Sequence, residues 1–190
     1  MPEQHARFTT GEPHHPYMVV KEVLLLGDPA LREASEPVTD FNELTDILAD
    51  LKDTLTWAQE HYGMGRAAAA PQLGYLKRVV YVQMPDRSFY LVNPEIEQRS
   101  EETFEVWDSC FSLEAAFFVK IPRHRVIEVQ YRDEDGGMHV EEFRDDMSEL
   151  LQHELDHLDG VMCSDHLRDP RNIVMKSEWV KRYRTPGIGM

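Results

Sequence analysis

The chain has 190 residues, and its 20 basic and 35 acidic side chains give a formal net charge of −15 at pH 7. This length is typical of one domain, and an acidic chain lacks the clustered lysine and arginine with which proteins bind nucleic-acid phosphates. Two cysteines are too few for a disulfide framework, and no apolar run in the sequence is long enough to span a membrane. We therefore expect one cytoplasmic domain that binds neither DNA nor a membrane.

The N-terminal third predicts an arm, a short strand and a helix. Residues 1–17 contain three prolines and little periodicity, so we expect a flexible arm. The apolar run from Val19 to Leu26 predicts a short strand that ends at Gly27. Between Asn42 and Tyr62, apolar residues recur at helical spacing, which predicts a long N-terminal amphipathic helix that packs on the core.

The middle of the chain predicts strands in adjacent pairs. Residues 79–82 and 88–93 flank one turn, and residues 125–131 and 138–143 flank an Asp-Gly-Gly turn. A second helix is expected from about Asp146 to Leu158, with acidic residues at its start. Because strands follow one another instead of alternating with helices, the predicted fold class is α+β, a single domain with mainly antiparallel β-sheets around this second, central helix.

The second predicted helix carries an H-E-x-x-H motif, HELDH at positions 153–157. Residues four apart lie one turn apart on the same face, so the imidazoles of His153 and His157 can bind one metal ion. Glu154 lies to the side, where it can act on a metal-bound water without being a ligand. A catalytic site of this kind needs a third protein ligand. Cys110 and Cys163 are the candidates, although the local sequence alone is equally typical of small buried core residues, which is our interpretation of Cys163.

Three segments in a fixed order resemble the motifs of the peptide deformylase family. Residues 65–72 (GRAAAAPQ) are similar to the family's GxGLAAxQ, and residues 108–112 (DSCFS) are similar to EGCLS. Residues 152–160 (QHELDHLDG) match QHExDHLxG almost letter for letter. The resemblance extends over roughly residues 19–169, and by it the chain is identified as a member of this family.

The resemblance implies the site and its reaction. Cys110, His153 and His157 would bind one divalent metal ion, most often Fe²⁺, with Zn²⁺, Ni²⁺ or Co²⁺ as substitutes. A metal-bound hydroxide would attack the formyl group of an N-formylmethionyl peptide or nascent chain, with Glu154 as the general base. The side-chain amide of Gln72 and the backbone N–H of Phe111 would stabilise the developing oxyanion.

The chain departs from the family motifs at Ala67, Ala68, Asp108 and Ser109. Ala67 and Ser109 replace glycines, and a side chain at such a position narrows the groove. A second register of the first motif, with Gly63 and Gly65 as its glycine pair, stays open. The departures also leave two other functions open: a hydrolase of another formyl or small acyl amide, and a metal-binding homologue without activity.

Asp156 points away from the expected metal ion. It either forms an ion pair with Arg123, which would support the ligands from outside, or is a solvated carboxylate on the helix surface. The sequence leaves both interpretations open.

The charge is unevenly distributed along the chain. Residues 171–190 carry five basic groups and one acidic group, so residues 1–170 carry a net charge of −19. The resemblance implies a deformylase-like catalytic domain at residues 18–170, and this charge division predicts a basic C-terminal tail at residues 171–190. For that tail, a weak contact with ribosomal RNA and a simple solvated segment are the two alternatives.

Overall fold

The computed structural model describes residues 19–184, so the predicted arm at residues 1–17 and the last six residues lie outside the described part. Within it, the chain forms an α+β domain with two antiparallel sheets, as predicted. None of the helices in this part of the chain has the length and apolar character needed to cross a membrane.

The strands and helices are named in chain order. The strands are β1 (Ala67–Ala69), β2 (Val79–Gln83), β3 (Ser88–Arg99), β4 (Thr103–Asp108), β5 (Phe117–His124), β6 (Val126–Arg132), β7 (Met138–Arg144) and β8 (Ile173–Met175). The helices are α1 (Leu44–Tyr62), α2 (Asp145–Leu158) and α3 (Lys176–Arg182).

The larger sheet has five strands in the spatial order β1-β2-β3-β6-β7. Both predicted strand pairs lie in it: Val80 is opposite Leu91 in the β2–β3 pair, and Val129 is opposite Glu141 in the β6–β7 pair. The smaller sheet has the order β4-β5-β8. Sequence reasoning missed these three strands, because β4 is half polar and β5 contains Pro122, which cannot donate a hydrogen bond to a neighbouring strand.

Helix α1 packs on the larger sheet and buries one continuous stripe of side chains. The stripe is made of Leu44, Ile47, Leu51, Leu55 and Ala58. These side chains form a core cluster together with β2 residues such as Val79. The helix ends at Gly63, whose φ of 61° is in the left-handed region that glycine adopts without strain.

The prediction of a strand from Val19 to Leu26 is wrong. The segment joins neither sheet, and its backbone N–H groups donate to side chains of α1 and to two 3₁₀ helices instead. The backbone N–H of Leu24 donates to the carbonyl of Gln72 at 2.8 Å, and that of Leu26 donates to the carbonyl of Ser112 at 2.8 Å. The segment therefore connects the 3₁₀ helix after β1 (Ala70–Leu73) to the 3₁₀ helix after β4 (Phe111–Leu113).

Helix α2 lies between the two sheets and contacts β1, β5 and β7. Its apolar residues Leu151, Leu155 and Leu158 are buried in a core cluster with residues of the larger sheet. Because this face is fixed in the core, the side chains on the neighbouring face are held toward the end of β4.

Candidate metal centre and active site

Three candidate ligands converge between α2 and the end of β4. Cys110 opens the short 3₁₀ helix Phe111–Leu113, and His153 and His157 are one turn apart on α2. The ligand atoms of the three side chains lie within 4.8 Å of one another, and the two Nε2 atoms are 3.1 Å apart. One thiolate and two imidazoles are a donor set that suits Fe, Ni or Zn, and it leaves a position open for another molecule. The residues present therefore fit a divalent metal ion.

Asp108, the last residue of β4, lies against His153. Its Oδ1 is 2.8 Å from His153 Nδ1, and its Oδ2 accepts a hydrogen bond from Arg123 Nη2 at 3.0 Å. Burial alone would raise the pKa of Asp108, but the attraction of His153 and Arg123 outweighs it and lowers the pKa. An ionised carboxylate beside Nδ1 favours the proton there, which leaves the lone pair on Nε2, the atom that faces His157.

The ion pairs continue outward from Asp108 through Arg123. The Nη1 atom of Arg123 donates to Asp156 Oδ2 at 2.6 Å, and His166 Nε2 lies 2.7 Å from the same oxygen. Arg123 is only 4% exposed. Of the two alternatives for Asp156, the structure therefore has the ion pair, and this pair joins α2 to β5.

The second cysteine lies beside the first, which sequence reasoning did not foresee. Cys163 is buried, as expected for a core residue, but its sulfur lies within 4.8 Å of the ligand atoms of Asp108 and His153. A hydrogen bond from the Cys163 thiol lowers the pKa of Cys110 and raises that of Cys163 itself. Cys163 thus favours the thiolate form of Cys110, which is the form that binds metals.

Glu154 faces the cavity next to the candidate ligands. It is 3% exposed, and its Oε2 atom has no hydrogen-bond partner among residues 19–184. Burial raises the pKa of Glu154, and the nearby imidazoles partly oppose this rise. A buried carboxyl with an unused oxygen can accept a proton from a molecule in the cavity.

Gln72 lines the same cavity, and two hydrogen bonds fix its side chain. Its Oε1 accepts from the backbone N–H of Ala69 at 2.9 Å, and its Nε2 donates to Ser112 Oγ at 3.3 Å. Because an amide nitrogen carries two hydrogens, one remains for a ligand. Phe111 directly follows Cys110, so its backbone amide is at the first position of the 3₁₀ helix.

Besides Asp108, the other three motif departures also have definite places in the structure. The Ser109 hydroxyl donates to the carbonyl of Phe117 at 2.7 Å, and so it joins the end of β4 to the start of β5. Ala67 and Ala68 are both in β1 and are buried in different core clusters. Their methyl groups therefore pack on opposite sides of the strand.

The glycine that the site needs is Gly65. It has a φ of 108°, and a Cβ there would lie 2.4 Å from Cζ of Phe111. Gly63 has no atom within 4 Å of such a Cβ and only ends α1. Gly65 is a motif glycine in both registers, and its close approach to Phe111 requires glycine there in either one.

The candidate ligands open into a cavity of about 390 Å³. Its apolar wall contains four aromatic side chains: Trp107, Phe118, Trp179 and Tyr183. The last two belong to the segment at residues 171–190, which forms β8 and α3 where it is described. Arg66 and Glu149 form an ion pair in another part of the wall. Sequence reasoning singled out neither this ion pair nor Trp107, Trp179 and Tyr183, because their contacts join distant parts of the chain.

Comparisons with known proteins agree with the motifs. The family model for polypeptide deformylase matches residues 20–172. The peptide deformylase 2 of Clostridium perfringens is 36% identical over 161 residues, which cover 84% of this chain and all of that protein.

Solved structures give the same result. A peptide deformylase from Synechococcus elongatus in complex with actinonin has a TM-score of 0.74 at 25% identity, covering 87% of each chain. A Met-Ala-Ser-bound peptide deformylase from Acinetobacter baumannii has a TM-score of 0.68 at 28% identity, covering 78% of this chain and 99% of the other. The stretch matched by the family model includes all three candidate ligands and ends before β8.

Proposed function

The chain belongs to the polypeptide deformylase family and removes the N-formyl group from N-formylmethionyl peptides, and we propose that Cys110, His153 and His157 hold its metal ion. The observation that carries this proposal is the convergence of one sulfur and two imidazole nitrogens within 4.8 Å. When bound there, a divalent metal supplies Lewis-acid chemistry and lowers the pKa of a coordinated water.

The donor set also bears on which metal is used. A thiolate and two imidazoles are softer ligands than carboxylates, and they suit Fe²⁺, Ni²⁺, Co²⁺ and Zn²⁺ better than Mg²⁺ or Ca²⁺. We propose Fe²⁺ as the metal in the cell. A cytoplasmic location is proposed with it, because oxidation would destroy a thiolate ligand.

Glu154 is the proposed general base. Its unpartnered Oε2 takes a proton from the attacking water, and the same carboxyl then passes the proton to the amine that leaves. The raised pKa of Glu154 supports the second half of this role, because it favours the protonated carboxyl that donates to the leaving amine.

Two amide groups are proposed to stabilise the oxyanion. Gln72 keeps one Nε2 hydrogen beyond its bond to Ser112, and the backbone amide of Phe111 is next to Cys110. Both groups are fixed before substrate binds, and preorganised donors of this kind stabilise charge that develops in the transition state.

The test is formate release from formyl-Met-Ala-Ser by the Fe²⁺-loaded protein under anaerobic conditions. We expect turnover of this peptide and none of acetyl-Met-Ala-Ser. The reverse preference would indicate a hydrolase of another acyl amide, and no turnover of either peptide would indicate a metal-binding homologue. Contact of the C-terminal segment with the ribosome stays a separate prediction, which salt-dependent co-sedimentation would test.

A further inference from the structure

The segment after the family match is built into the substrate cavity. The family model ends at residue 172, and β8 follows at Ile173–Met175. In the smaller sheet Met175 is opposite Phe117, and the backbone N–H of Lys176 donates to the carbonyl of Ala116 at 3.0 Å. Helix α3 therefore starts beside the strand that follows the cysteine motif.

Two aromatic residues of this segment rest on aromatic residues of the smaller sheet. Trp179 stacks on Phe118 with ring centroids 4.3 Å apart and an interplanar angle of 7°. Tyr183 packs on Trp107 with centroids 4.8 Å apart. Stacked contacts at these distances hold the rings in fixed positions. We call these four side chains the aromatic wall: Trp107, Phe118, Trp179 and Tyr183. The wall therefore contains residues from within the family match and residues that follow it.

The aromatic wall and the reacting groups belong to one cavity but lie at different depths. His153 and Glu154 are buried, whereas Tyr183 is 47% exposed. A formyl group that reacts beside Glu154 must lie at the deep end. The rest of a formylated peptide then has to leave along the wall toward solvent.

We propose that Trp179 and Tyr183 bind the residues that follow formylmethionine in the substrate and favour apolar or aromatic side chains there. This inference rests on the proposed function. Aromatic faces offer large apolar area at little cost in conformational entropy, and they add stacking energy for aromatic partners. The selectivity of the chain for its peptides is therefore set partly by a segment outside the stretch that the family model matches.

The test compares three substrates, formylmethionine amide, formyl-Met-Ala-Ser and formyl-Met-Leu-Phe, with the unmodified chain, Trp179→Leu, Tyr183→Leu and the control Val180→Ala. Val180 is on α3 but does not line the cavity. We expect both leucine variants to lose roughly 3- to 10-fold in kcat/KM on formyl-Met-Leu-Phe, through KM. Formylmethionine amide and the control variant should be unaffected.

An equal loss on all three substrates, or no loss on any, would overturn the inference. Calorimetric binding of the product peptides Met-Leu-Phe and Met-Ala-Ser gives a second readout that needs no turnover. Weaker binding of Met-Leu-Phe to Tyr183→Leu than to the unmodified chain supports peptide binding by the aromatic wall, even if Trp179→Leu does not fold. If the unmodified chain binds the products but releases no formate, the proposed function fails and the inference about the wall does not.

Discussion

Arg66 and Glu149 form an ion pair in the cavity wall, and Glu149 is one helical turn before His153. Burial raises the pKa of Glu149, and the charge of Arg66 partly opposes this. The pair joins the residue before β1 to α2. A charged pair therefore lies beside the candidate ligands, in the same cavity as the aromatic wall.

This pair predicts a non-additive effect on stability. Glu149→Leu leaves a largely buried guanidinium without its partner, and we expect a loss of about 1–3 kcal/mol in the free energy of unfolding. Arg66→Met/Glu149→Leu should recover most of that loss, because an apolar pair of similar volume replaces a buried ion pair well. Urea unfolding of the two singles and the double variant measures the coupling. Simple additivity would contradict a pairwise interaction.

Glu154→Gln is expected to abolish turnover while the metal stays bound. Glutamine keeps the volume but cannot take a proton, and general-base catalysis is worth about 10²- to 10⁴-fold in rate. Formate release and metal analysis on the same sample measure the two properties separately. Glu142→Gln, on the exposed side of β7, is the matched control. Full activity of Glu154→Gln would eliminate the proposed base.

Arg123 predicts a combined effect on folding and on metal binding. Arg123→Met leaves Asp108 and Asp156 without their shared partner, and we expect a loss of about 3–5 kcal/mol in stability. Metal affinity should fall about 10- to 100-fold, because Asp108 would no longer be held against His153. Arg123→Lys keeps the charge but cannot bind both carboxylates in the same way. Its stability and metal affinity should therefore lie between those of the unmodified chain and of Arg123→Met. If a metal titration gave Arg123→Met the same affinity as the unmodified chain, the proposal that Arg123 supports the metal ligands would be contradicted.

The two glycines near the first motif should differ in their tolerance of alanine. Gly65→Ala places a methyl group against the ring of Phe111, and we expect a loss of about 1–3 kcal/mol as well as reduced activity. Gly63→Ala meets no neighbour and should cost only about 1 kcal/mol, from its positive φ. Thermal unfolding of both variants gives the comparison. Equal losses would contradict the crowding of Gly65 against Phe111.

A surface ion pair far from the site gives a pH-dependent prediction. The hydrogen bond from Arg87 lowers the pKa of Glu141, so the pair stabilises the fold above the usual carboxyl pKa. Its contribution is lost as the pH falls through the lowered value of the folded state. Glu141→Gln should therefore destabilise by less than about 1 kcal/mol at pH 7 and by a smaller amount near pH 3. A difference that is the same at both pH values would contradict this account.

Local patterns predicted the parts of the site that depend on local geometry. The spacing of His153 and His157 places both imidazoles on one face of any helix, and the structure brings them together with Cys110. The hairpins β2–β3 and β6–β7 were also predicted, because alternation and turn residues are local signals. The strand at Val19–Leu26 was wrong because an apolar run does not show what its backbone bonds to.

The remaining parts depend on contacts between distant segments. Cys163 is beside Cys110 only because the turn after α2 packs under β5, and Trp179 reaches the cavity only because β8 pairs with β5. A single sequence carries no signal for either pairing. The ion pair of Arg66 with Glu149 joins residues 83 positions apart and was missed for the same reason.

The hydrogen bonds donated by the backbone N–H groups of Leu24 and Leu26 let the N-terminal segment hold two distant parts of the chain together. In extended backbone, alternate amides point the same way and are roughly 6–7 Å apart, a spacing set by covalent geometry. The two 3₁₀ helices that carry Gln72 and Ser112 are therefore held at a set separation by the backbone N–H groups of Leu24 and Leu26. Proteolytic trimming past Leu26 would thus remove both hydrogen bonds and loosen the two 3₁₀ helices together, whereas trimming that stopped before Leu24 would leave both bonds in place.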